Sequence, residues 1–119
     1  MEIAEFVKAR LDEDEATAKA ALSGADDDGT WEVAYPYGGD AAMIRGHGVA
    51  MLEERPQAHH IARHDPARVL REVAADRKLL AAYEDAAQFS DPWIGLDLAV
   101  RIRAERFSDH PDYRAEWTL

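Results

Sequence analysis

Apolar residues return every three or four positions from the start of the chain. Ile3, Phe6, Val7, Leu11, Ala18 and Leu22 line one side of a helix predicted over 2–22, within an acidic N-terminal segment 1–23. Glu2 and Glu5 suit the positive end of its dipole, and Ser23-Gly24 offers a stop. The pattern changes over 30–52. Trp31, Val33 and Tyr35 alternate with Glu32 and Ala34, Pro36-Tyr37-Gly38-Gly39-Asp40 is turn chemistry, and Ala41–Arg45 can return as a second strand. Gly46-His47-Gly48 breaks that strand, or forms a loop tip, before the short apolar run Val49–Leu52. A small antiparallel β-hairpin or a three-stranded meander fits this region.

Helical spacing resumes over 56–107. Pro56–His64 reads as a short helix that must stop where Asp65 precedes Pro66. Asp65 as N-cap and Pro66 at the first helical position then start a long helix to about residue 88. Its stripe is Val69, Val73, Leu80 and Ala87, widened by Leu70, Leu79 and Tyr83. Arg68, Arg71, Glu72, Asp76 and Lys78 are expected to form its charged outer face. Ser90-Asp91-Pro92 repeats the cap-plus-proline signal. The residues after it are ambiguous, because Ile94, Leu96, Leu98, Val100 and Ile102 alternate as in a strand, whereas Trp93, Leu96, Val100, Ala104 and Phe107 fit a helix. The cap favours a helix over 93–107. The tail 108–119 is expected to turn and pack Tyr113 and Trp117 back on the body. The class is therefore α+β: a mostly helical single domain, 1–119, with a small antiparallel β-hairpin.

Composition narrows the chemistry. A hydrophobic fraction of 47% supports a packed core, and the lack of cysteine removes disulfides, thiolate metal sites and a cysteine nucleophile. No apolar run approaches the roughly 20 residues of a membrane span, and the acidic start lacks the basic opening of a signal peptide; a cytoplasmic protein is expected. The net charge of −10 disfavours direct nucleic-acid binding. It is also uneven. Residues 1–32 hold ten acids against three bases, whereas 55–78 hold six bases against three acids. Such segments attract each other, within the fold or across a dimer. The acidic run Asp12-Glu13-Asp14-Glu15 reads as a solvated face balanced by Lys8, Arg10 and Lys19, with a docking strip for a basic partner as the sharper alternative. Three aspartates at 26–28 lack the alternating ligands and terminal Glu of a calcium loop. Eleven arginines against three lysines are the bias of a GC-rich genome.

Two stretches carry a resemblance. His60-Ile61-Ala62-Arg63-His64-Asp65-Pro66-Ala67-Arg68-Val69-Leu70-Arg71-Glu72-Val73 and Ser108-Asp109-His110-Pro111-Asp112-Tyr113-Arg114-Ala115-Glu116-Trp117 resemble a family of short actinobacterial and actinophage proteins known only as a domain of unknown function. The start, Phe6–Glu15, is similar to its N-terminal segment. The resemblance implies an intracellular setting and brings no activity or ligand.

Three of the five histidines lie in those stretches, and His59 immediately precedes the first. His60 and His64, four apart, share a helix face at the spacing that supplies two imidazoles to zinc. His110 is the candidate third ligand, with Asp65 or His59 as a fourth or as a supporting acceptor. The competing reading is structural: His64 serving the helix junction and His60 packing on Trp31, Tyr113 or Trp117. No catalytic set emerges, since Ser23, Ser90 and Ser108 all sit at helix ends or turns outside any nucleophile motif. No cofactor is expected, a divalent metal at the histidines being the exception. The leading reading is a non-catalytic interaction or adaptor protein that binds a protein partner or itself, its acidic first helix meeting the Arg-rich segment of a second copy. Trp31, Asp65, Arg68, Tyr113 and Trp117 are the candidate binding residues. A metal-dependent hydrolase using His60, His64 and His110 is the alternative, and an acidic mimic of nucleic acid ranks third.

Overall fold

The helix foreseen at the N-terminus forms as α1, Ile3–Ala20, in a computed structural model that describes residues 1–39, 41–46 and 49–119, and of 49–53 the backbone alone. Asp40, His47 and Gly48, read above as turn or loop-tip residues, lie outside the described set. Three strands follow: β1 (Trp31–Ala34), β2 (Ala41–Gly46) and β3 (Val49–Glu54). Then come α2 (Arg55–Arg63), α3 (Pro66–Asp85), α4 (Asp91–Glu105) and a 3-10 turn at Ala115–Trp117. The class is α+β and mostly helical, as expected. The hairpin region has three antiparallel strands in the order β1-β2-β3. No helix among the described residues is long and apolar enough to cross a membrane.

Contacts group the chain into two units, Asp14–Glu72 and Met1–Glu13 with Val73–Leu119. In the first, α2 lies on the sheet. Ala42, Ile44 and Ala58 are fully buried there, with Trp31, Val33, Ile61 and Ala62 packed around them. Register pairs Trp31 with Gly46 and Val33 with Ile44. Glycine is required at position 46, because an added Cβ would collide with the Trp31 indole. Gly29, at φ +78, is equally constrained, since a Cβ would stand 2.8 Å from the Ala67 amide nitrogen. The Asp26–Asp28 loop holds itself: Asp27 is buried and accepts from the Gly29 amide at 2.9 Å and from the Ser23 amide at 2.9 Å, while Asp28 accepts from the Thr30 amide. These are the backbone-capping roles of aspartate in turns.

In the second unit Phe6 is fully buried at the centre of an aromatic cluster. Its ring meets Phe107, His110, Tyr113 and Trp117 with centroids 5.0–6.4 Å apart. The tail thus packs back on the body, as its aromatics suggested. Two charged residues contradict the sequence reading. Arg10, expected on a solvated face, is 7% exposed, stacks over Phe6 and pairs with Glu13 at 3.0 Å. Asp76, expected on the outer face of α3, is 5% exposed and holds Arg103 at 3.0 Å and Arg106 at 3.1 Å. The reason is positional: Asp76 lies between the buried Val73 and Leu80 on one stripe, and two guanidiniums compensate its desolvation. Helix α3 also ends earlier than predicted, at Asp85, so Ala87 is an exposed linker residue.

Candidate functional site

The Asp65-Pro66 junction forms as expected and does more than cap. Asp65 Oδ1 accepts from the Arg68 amide at 2.8 Å, the N-cap bond of α3, and Oδ2 accepts from the Trp31 amide at 3.0 Å, where β1 begins. The Ala67 amide donates to the Gly29 carbonyl at 3.0 Å. Asp65 is buried, and both its oxygens are engaged with backbone. The Arg68 side chain turns along its own helix to Glu72 at 2.8 Å.

His60 and His64 are brought together, their ring centroids 4.5 Å apart. His64 Nδ1 donates to the His60 carbonyl at 2.8 Å, which fixes its tautomer and leaves Nε2 as the nitrogen able to accept. His59 bonds the Tyr35 hydroxyl through Nε2 at 2.6 Å, and the Arg55 guanidinium lies 4.2 Å from the Tyr35 ring centroid. His110 belongs to the other unit, where the Arg10 guanidinium meets its ring and its Nδ1 accepts from the Asp112 amide at 3.0 Å. Among the described residues no group of three or more His, Asp or Glu side chains gathers in a metal-holding arrangement.

Beside His64 an open groove of about 290 Å³ is lined by Ala18, Ala21, Trp31 and Val69 together with Asp14 and Glu72. Tyr113 and Trp117 are occupied in the fold: Trp117 is buried on Phe6, and the Tyr113 hydroxyl bonds Thr118 at 2.9 Å. Ser90 caps α4 by accepting from the Trp93 amide, and the Ser23 hydroxyl donates to Asp27. The opposed charges of the two segments meet within one chain, where Arg77 reaches Asp12 at 3.0 Å. The acidic run is also satisfied locally, Glu13 by Arg10 and Glu15 by Lys19.

The feature that sequence reading missed is on α4. Its inner side buries Val100 and Ala104, yet Ile94 (57% exposed), Leu98 (49%) and Ile102 (50%) form a second apolar stripe that faces outward. Phe89, in the turn before the helix, is 73% exposed and takes φ +66, an unusual conformation for a side-chain-bearing residue. A signal was present. The uninterrupted alternation from Ile94 to Ile102 arises because a helix with apolar residues on two sides also satisfies a period of two.

These features define a small, mostly helical α+β protein whose polar clusters are engaged in capping and packing and which carries an exposed apolar stripe along one helix face. The chain belongs to DUF6221, a family of unknown function, whose model matches residues 1–119. No curated protein and no solved structure matches it.

Proposed function

We propose that this chain is a non-catalytic interaction protein of the cytoplasm that docks a protein partner through the outer face of α4. The observation that carries the reading is the exposed stripe Ile94, Leu98 and Ile102, extended by Phe89. Scattered apolar residues on a surface need no explanation, but large ones on three successive turns of one helix mark an interaction face. The charge contrast that first suggested partner binding is met inside the chain at Arg77–Asp12, so the docking role moves from α1 to α4. The Arg-over-Lys bias supports an actinobacterial or actinophage source.

A photo-crosslinking amino acid at position 98 tests the reading in the cell that makes the protein, with the exposed Glu5 position as control. Position 98 is expected to give a discrete protein adduct and position 5 none. Absence of any adduct from position 98, or equal labelling from both, refutes docking through α4.

A further inference from the structure

The partner of α4 follows from the order of its exposed residues. Resting on the docking role above, we infer that the α4 face pairs antiparallel with the same face of a second copy of this chain. An isologous two-fold contact needs a surface that complements itself, so each residue must find its match at the mirrored position. With the two-fold axis passing beside Leu96, Ile94 of one copy faces Leu98 of the other, and Ile102 lies opposite Ser90, one position from Phe89. The Ile94–Leu98 match then occurs twice, with Ile102 beside Phe89 at each end. The same register sets Asp91 against Arg101. Asp91 is exposed, and Arg101 is half-buried, giving its Nε to Asp97 at 3.0 Å and its Nη1 to the Glu116 carbonyl at 3.2 Å. Two opposite-charge pairs thus flank the apolar centre. The antiparallel sense also puts the positive N-terminal end of each helix beside the negative C-terminal end of the other. Parallel pairing would oppose Asp91 to Asp91 and Arg101 to Arg101.

Gly95 fits this arrangement. It sits inside α4 in open space, with nothing within 4 Å of an added Cβ, and lies beside the proposed axis. A glycine in a helix interior weakens the helix, whereas at a crossing point it lets two backbones approach. One helix face lies at or below the lower bound of about 1,200 Å² for a stable interface, so the dimer is expected to be concentration-dependent.

Sedimentation equilibrium across a wide concentration range, with circular dichroism to check folding, tests the pairing. Wild type is expected to pass from monomer to dimer, and Leu98→Glu to stay monomeric with unchanged helicity. Asp91→Lys and Arg101→Glu should each weaken the dimer by on the order of tenfold, and mixing the two should restore it, because both charge pairs are then opposite in sign. The chain has no cysteine of its own, so a fold-neutral register test is also at hand. A mixture of Ile94→Cys and Leu98→Cys proteins should form an interchain disulfide faster than either alone.

A wild type that stays monomeric throughout overturns the self-pairing, as does a mixture of cysteine variants that oxidises no faster than Leu98→Cys by itself. The docking role is judged separately. A photo-adduct whose mass is not twice that of the chain removes the second copy and keeps the α4 face, whereas no adduct removes both.

Discussion

Replacing Asp65 by alanine should be among the most damaging single changes in the Asp14–Glu72 unit. The side chain holds two backbone amides of different elements, Arg68 at the start of α3 and Trp31 at the start of β1, at 2.8 and 3.0 Å. Loss of an N-cap costs about 1 kcal/mol, within a range of roughly 0.5–2. Leaving the Trp31 amide without its acceptor costs roughly 1–3 kcal/mol. Together the loss is about 2–4 kcal/mol, a large share of the roughly 5–15 kcal/mol that holds a domain folded. Urea denaturation followed by far-ultraviolet dichroism measures it, and the midpoint should fall by about 1–2 M at an unchanged slope. Asp65→Ser separates the two contributions. Serine is a good N-cap but too short to serve Trp31 as well, so it should recover about 1 kcal/mol of the loss. An alanine variant within about 0.5 kcal/mol of wild type, or a serine variant as unstable as alanine, would refute the two-bond account.

Two further outcomes follow from the Phe6 and Tyr83 environments. Phe6→Ala should cost about 3–5 kcal/mol, because a fully buried ring touching four other rings is removed; loss of near-ultraviolet dichroism and a red shift of tryptophan emission would report it, and a cost below about 1 kcal/mol would count against the cluster as the anchor of the tail. Burial first, then the charge and hydrogen bond of Asp97, raises the Tyr83 phenol above its ordinary value of 10.0. The folded state therefore keeps a proton that the unfolded chain loses, so Tyr83 stabilises the fold below about pH 10 and the benefit fades as pH climbs through the raised value. Melting temperatures of wild type and Tyr83→Phe should converge as pH rises past that point, and parallel curves would contradict the assignment.

What could be read in advance was punctuation and periodicity. Asp65-Pro66 and Ser90-Asp91-Pro92 are local signals in which a capping side chain and a preset φ act on the same turn, and α3 and α4 begin at residues 66 and 91. The sheet, too, followed from alternation and turn residues. The exit of α3 was harder, because Asp85-Ala86-Ala87-Gln88 contains neither glycine nor proline. For the histidines, spacing alone put the rings of His60 and His64 side by side, but it could not say that His64 Nδ1 would be bound by the carbonyl of its neighbour. Arg10 and Asp76 were misread because charge was taken as a sign of exposure. Each lies on an apolar stripe, Arg10 next to Leu11 and within a turn of Phe6, and Asp76 between Val73 and Leu80.

The misreading of Asp76 and the missed stripe on α4 share one physical cause. In the unit formed by Met1–Glu13 and Val73–Leu119, α4 is anchored partly by charge, with the partly exposed guanidiniums of Arg103 in its last turn and Arg106 just beyond it on the buried Asp76, and it keeps isoleucine and leucine on its outer side. A helix whose only task was to close a core would carry the opposite assignment, since the outer isoleucines gain little from folding and an ion pair with one buried partner is weak evidence of added stability. The ion pairs are directional, and with the buried Val100 and Ala104 they set the rotation of α4 about its axis. A fixed rotation matters only if something must meet the outer face in register. The same reasoning accounts for Gly95, which weakens the helix that carries it and becomes intelligible once another backbone approaches there.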